Sequence, residues 1–317
     1  MRHFKLENSS GEERDITTTS VLFHEISGLG FEEENSFKRI ADSWVLNKSD
    51  YNQGTISGKI LFNAGETLSR EDDPYYKYLD FSDFIAKSPL ILKYYPYGVT
   101  DNEDDIFYRK VRVSKLAKTE KNEYGVLDCD IDFTSYTSWY QIETFTYTRP
   151  DAEDDDDHWV WDTPVIFEPS TVQISGGAIP AKFAWEEDQY FEIQLNGLQA
   201  KAPTKLTIWG PLLNPYWSHG VLVGSTIRPI SSGSFSDSET ISIDSGDRLV
   251  IDNTDGNYSI TKVTASGQTQ NLYPYRDFGT ECFVSMRNGR NVIYVGSSAS
   301  ESTPQITAEV HKLYATV

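Results

Sequence analysis

The chain has 317 residues, with 48 acidic against 28 basic side chains and a formal charge of −20 at pH 7. Binding to phosphate backbones or anionic membranes rests on clustered Lys and Arg, and this balance opposes both. The length exceeds one average domain, so two are expected; 19 Tyr, 16 Phe and 7 Trp supply real cores, while abundant Thr, Tyr, Ile and Val favour strands.

Along the chain, residues 1–20 alternate weakly and read as an edge strand and turn. Phe23–Ile26 reads as a strand running into Ser27-Gly28-Leu29-Gly30-Phe31, whose two glycines point to a bulge or a close backbone approach. Residues 54–62 alternate with period two, the mark of a half-buried strand. One helix follows: Asp73 is its N-cap, Pro74 its first residue, and Tyr75, Tyr78, Phe81 and Ile85 recur at helical spacing, widened by Leu79 and Phe84. Ser88-Pro89 stops it.

Leu90–Tyr95 reads as a buried strand and Tyr108–Val113 as an alternating one. Residues 125–133 alternate most cleanly, with Leu127, Cys129, Ile131 and Phe133 inward and three aspartates outward. The run Asp151–Asp157 cannot be buried, because its like charges repel, and the domain junction belongs near it. Beyond it, strands are expected at Thr171–Ile174, Gln189–Leu195, Lys205–Trp209, Glu239–Ile243, Arg248–Asp252, Asn257–Val263, Cys282–Met286, Asn291–Val295 and Gln305–Tyr314. Asp255-Gly256 and Asn288-Gly289 are hairpin-turn pairs, and the helix-free succession argues a β-sandwich. The fold expected is mainly β, with domains at 1–145 and 146–317.

No catalytic constellation emerges, and none of the usual metal or cofactor motifs is complete. The acidic run resembles a calcium loop, but Asp156 stands where the sharp turn needs glycine and Asp162 where the closing glutamate belongs. His219 follows Ser218 without a nucleophile elbow, His24-Glu25 has no second histidine, and Gly28 and Gly30 lack the third glycine of a nucleotide loop. Cys129 and Cys282, the two cysteines, read as reduced and buried. The N-terminus lacks the apolar stretch of a signal peptide, and no segment is apolar enough to span a bilayer as a helix, so folding in a cytosol is expected. A ring cluster at Trp209, Tyr216 and Trp217 offers one alternative function, stacking on cell-surface glycans; the competing reading sends Trp209 into the core and leaves the prolines to shape a loop. Trp159 and Trp161 could anchor a linker.

The ordered series Gly28–Phe31, Gly58–Phe62, Tyr75–Phe81, Pro89–Tyr94, Tyr108–Val113, Lys118–Glu120, Leu127–Phe133 and Ser138-Trp139-Tyr140 resembles the distal tail proteins of siphophages that infect Gram-positive bacteria. In the C-terminal half, Gly210, Asn214-Pro215, Ile251-Asp252, Asn271–Tyr273 and Gly289–Ile293 resemble landmarks of the galectin-like sandwich that closes such proteins, without the His-x-Asn-x-Arg sugar pattern. The resemblance implies a non-enzymatic virion protein at the distal end of the tail. It would form a homohexameric ring through the N-terminal domain, between the tail tube protein and the tail hub, and would support receptor-binding proteins. Acidic loops such as Asp101–Asp105 would then let DNA pass without binding it.

Overall fold

The computed structural model describes residues 2–30, 33–40, 42–51, 54–63, 70–98, 105–147, 190–224, 226–236, 240–298, 304–315 and 317. The acidic run Asp151–Asp157 with Asp162, Trp159, Trp161, Thr171–Ile174 and Asp101–Asp104 lie outside the described residues. The chain divides into two units, Met1–Ile142 with Lys312–Val317, and Glu143–His311.

Alternating apolar residues build the first unit. Its strands are β1 (His3–Glu7), β2 (Glu13–Asp15), β3 (Val21–Ser27), β4 (Glu33–Ile40), β5 (Ser43–Tyr51), β6 (Thr55–Phe62), β7 (Leu90–Tyr95), β8 (Phe107–Leu116), β9 (Leu127–Ser135) and the start of β10 (Trp139–Tyr147) up to Ile142, with helix α1 (Pro74–Ala86) between β6 and β7. Seven of them form an antiparallel row, β3-β6-β9-β8-β7-β1-β2. A bridge between Thr17 and Leu22, with the Phe23 amide donating to the Ile16 carbonyl, brings the two ends of the row together. β1 is flanked by β2 and β7, whereas the weak alternation of residues 1–20 had pointed to a single edge strand.

The inward positions expected in β9 are all fully buried, beside Ile56, Ile60 and Phe62 of β6 and Leu90 and Leu92 of β7. Helix α1 covers this core with Phe81 and Phe84. It begins where Asp73 accepts a hydrogen bond from the Tyr75 amide at 2.8 Å, a partner for one of the free donors of the first turn. Lys121 sits 2.6 Å from the same carboxylate. Leu79, counted on the apolar face from its spacing, instead points out and is 57% exposed. Tyr314 returns from the far end of the chain to meet Phe107 edge-on at 5.3 Å, and Val317 packs on the same core.

The second unit contains β11 (Tyr190–Leu195), β12 (Ala202–Trp209), β13 (Leu212–Leu213), β14 (Tyr216–Val223), β15 (Thr226–Gly233), β16 (Ser242–Ile243), β17 (Arg248–Asp252), β18 (Ser259–Val263), β19 (Thr269–Asn271), β20 (Ser285–Met286), β21 (Gly289–Gly296) and β22 (Ile306–Tyr314) up to His311. One sheet runs β19-β18-β17-β12-β22 and the other β11-β21-β14-β15. Leu206, Ile208, Leu249, Ile251, Ile260 and Ala308 from the first share one core with Ile193, Trp217, Ile293 and Val295 from the second. Two antiparallel sheets closing over a common core make a sandwich.

Asp255-Gly256 turns β17 into β18 as expected. Asn288-Gly289 does not form a β20–β21 hairpin, since β20 pairs with β12 and β21 with β11 and β14. The Asn288 amide is spent on Leu198 instead, accepting from its amide and donating to its carbonyl, both at 2.8 Å.

Candidate assembly surfaces

The hairpin β4–β5 pairs only with itself among the described residues. Its register sets Arg39 opposite Trp44 and Lys38 opposite Val45. Phe37 and Arg39, two residues apart, share a face with Trp44. Phe37 is 55% and Trp44 69% exposed, and Val45 is exposed on the other face. An isolated two-stranded hairpin is marginal in water, and burial of such rings is what would stabilise it. Nothing in the sequence marked this element, because its apolar residues follow neither helical nor strand period.

A charged lattice covers the outer side of β1, β2 and β7. Lys93 lies 2.7 Å from Glu7 and 2.8 Å from Glu13, and Glu13 also meets Lys5 at 2.9 Å. Burial works against the Lys93 charge, but the hydrogen bonds to Glu13 and Glu7 prevail and raise its pKa. Arg109 of β8 is a different case. Burial lowers its pKa to about 10, its Nε donates to the Thr137 carbonyl at 3.0 Å, its guanidinium lies 5.3 Å from the Trp139 ring centre, and its Nη1 has no partner. That cation is part of the core and is not offered to a ligand.

The three rings expected as a glycan platform are not presented together. Tyr216 and Trp217 open β14, where a turn-rich loop was expected. Trp217 is 1% exposed, and its Nε1 donates to the Cys282 carbonyl at 2.7 Å. Trp209 is half-buried at the end of β12 under the Arg248 guanidinium, and Tyr216 meets Tyr294 hydroxyl to hydroxyl at 3.3 Å. Only Trp209 and Tyr216 keep any surface for a sugar. Cys129 and Cys282 are both free and buried, and the Arg276 Nη1 donates to the Cys282 Sγ at 3.0 Å. Among the described residues no three His, Cys, Asp or Glu side chains gather closely enough to hold a metal, and no helix is long and apolar enough to cross a membrane.

His219 of β14 is wholly buried. Its Nε2 lies 3.1 Å from Asn291 Oδ1. The Asn291 Nδ2 already donates to Arg287 and Gly289 carbonyls, so Oδ1 accepts and the imidazole carries its proton on Nε2, with Nδ1 unpartnered. Burial lowers its pKa to about 4, aided by the charge of Arg287 and opposed by the bond to Asn291. The unfolded chain, near 6.5, therefore binds the proton first. Stability from the neutral imidazole is complete above pH 6.5 and is lost as pH falls toward 4, by at most about 3 kcal/mol. Replacing His219 with Gln should flatten the acid slope of the urea midpoint across that window; an unchanged slope would refute this account.

Comparison with known proteins bears on the first unit most directly. Residues 3–136 match the family described as distal tail protein, N-terminal domain. The distal tail protein of Lactococcus phage p2 is 26% identical over 151 residues, which cover 46% of this chain and 47% of that protein. The matched stretch thus spans about half of that relative. In fold, the chain is similar over its full length to a chain of the phage p2 baseplate in its activated conformation, with a TM-score of 0.64 and 17% identity covering 100% of both. It is also similar to the SPP1 Dit protein, with a TM-score of 0.56 and 10% identity covering 97% and 98% of the two chains. Those two likenesses speak for the fold. The match to the distal tail protein family thus lies in residues 3–136, where the chain resembles the N-terminal domain of those proteins.

Proposed function

We propose that this protein is a structural component of a phage tail tip. It forms a homohexameric ring through its first unit, joins the tail tube to the tail hub, and supports receptor-binding proteins. The observation that carries the reading is the β4–β5 hairpin, which holds Phe37 and Trp44 in water with no partner strand beyond itself among the described residues. A neighbouring copy that covers those rings would bury them at about 25 cal/mol per Å2 of apolar surface. Ring closure needs such a heterologous contact, repeated at a rotation that returns to the start. The relatives supply context: one solved neighbour is part of a baseplate, and the other is described as a hub adsorption apparatus of phages that infect Gram-positive bacteria. A formal charge of −20 suits a ring that DNA must traverse without binding. The second unit, with its two-sheet sandwich, is the galectin-like part of the reading.

Light scattering across a concentration series, with the tail tube protein added, tests the proposal. Wild type should reach six times the monomer mass, whereas Phe37→Glu with Trp44→Glu should stay monomeric with an unchanged unfolding midpoint. A wild type that stays monomeric even with the tube protein, or a double variant that assembles as wild type does, would count against it.

A further inference from the structure

A head-to-tail ring needs two different patches, set so that one copy ends where the next begins. The first unit holds such a pair at opposite ends of β3 and β6. Val21 pairs with Phe62 at one end of those strands and Ser27 with Ser57 near the other. The two ends are about 20 Å apart at the usual rise of a strand. The β4–β5 hairpin lies in the chain between Ser27 and Thr55, so it leaves from the second end. Helix α1 sits at the first. There Tyr78 and Phe81 pack on the Phe62 ring at 5.8 and 5.7 Å, and the Lys77 Nζ donates to the Asn63 carbonyl at 2.9 Å.

Away from the core, α1 exposes Tyr76, Leu79 and Asp83 as one stripe at helical spacing. Tyr76 is 37% and Leu79 57% exposed. A lone exposed leucine is ordinary, but here it adjoins a ring three residues away. Asp80 on the flank is held by Arg14, whereas Asp83 pairs with no described base. Arg70 lies 5.4 Å from the Tyr76 ring centre, yet residues 70–86 carry five acids against two bases. The hairpin tip is the complement. Within residues 36–45, Lys38 and Arg39 outnumber Asp42, in a chain of net charge −20. Arg39 shares the face of Phe37 and Trp44, and its side chain is 64% exposed with Asp42 at 3.9 Å. A guanidinium carries five donors and can serve two carboxylates.

We propose that the hairpin tip of one copy docks on helix α1 of the next. Phe37 and Trp44 cover Tyr76 and Leu79, and Arg39 meets Asp83. The inference rests on the ring reading and deepens it by naming the receiving surface. A hairpin meeting another hairpin would close a dimer, whereas a hairpin on a helix repeats around a ring. Light scattering of full-length variants, under the conditions that assemble wild type, tests the contact. Leu79→Lys should stay monomeric with an unchanged unfolding midpoint. Tyr124→Lys should assemble as wild type does; that lone exposed ring lies just ahead of Leu127, which pairs with Phe62 at the same end. Arg39→Asp and Asp83→Arg should each raise the concentration needed for assembly about 10-fold, and the two together should restore it. A wild type that stays monomeric with the tail tube protein would overturn the ring reading and this contact with it. A wild type that assembles beside a Leu79→Lys variant that also does, or charge reversals that add up without compensating, would overturn this contact and leave the ring standing.

Discussion

Replacing Trp217 with alanine should destabilise the second unit by about 3–5 kcal/mol, the usual cost of emptying an aromatic site in a core. The indole fills the space between β14 and Phe235, whose ring meets it edge-on at 5.8 Å. It also lies against Gly233 so closely that a β-carbon there would stand 2.2 Å from a ring atom. Removing the ring leaves both a cavity and an unpaired Cys282 carbonyl. Against a domain stability of about 5–15 kcal/mol, such a loss is large. Urea unfolding followed by near-ultraviolet circular dichroism would measure it. Trp217→Phe should fall between the two, since it restores apolar volume but not the donor. A Trp217→Ala protein with wild-type stability and lost sugar affinity would revive the glycan reading.

The second large effect is expected at Gly28. Its φ is +84°, a conformation that side chains disfavour, and a β-carbon there would lie 2.0 Å from the Thr55 carbonyl oxygen. That oxygen belongs to the first residue of β6, which pairs with both β3 and β9, so the clash cannot be relieved by turning a side chain. Gly28→Ala should cost about 3 kcal/mol or more, from backbone strain and overpacking together. Gly30→Ala is the control: nothing lies within 4 Å of its would-be β-carbon, and the change should be close to neutral. Thermal unfolding of the pair would separate them. Equal midpoints would mean that the β3–β6 junction yields more easily than its geometry implies.

This contrast also shows what the sequence could and could not convey. Two glycines around Leu29 signalled a close approach, and the approach is real at Gly28; the register shift itself falls just before it, between His24 and Ser27. Residues 127–133 and the segment opened by Asp73-Pro74 were readable because each combines a clear period with its own stop or cap. β14 was not, because Asn214-Pro215 before it and Gly220 within it imitate turn chemistry, while neighbours on both sides, β15 and β21, hold the segment extended. The β4–β5 hairpin was missed for the opposite reason: with Phe37, Trp44 and Val45 all exposed, no buried face imposes a period. Sequence periodicity reports burial within one strand, and these features arise between strands.

The return of Lys312–Val317 to the first unit makes the second unit an insertion in topological terms. A gene fragment ending at Ile142 would lack Tyr314 against Phe107 and Val317 against the core. To reproduce the first unit by itself, a design must splice Lys312–Val317 after Ile142 through a linker. Each halving of that connection lowers the entropy of closure by about 0.6 kcal/mol. The same arithmetic allows the inserted unit to be exchanged for a longer or shorter one at little thermodynamic cost to the first.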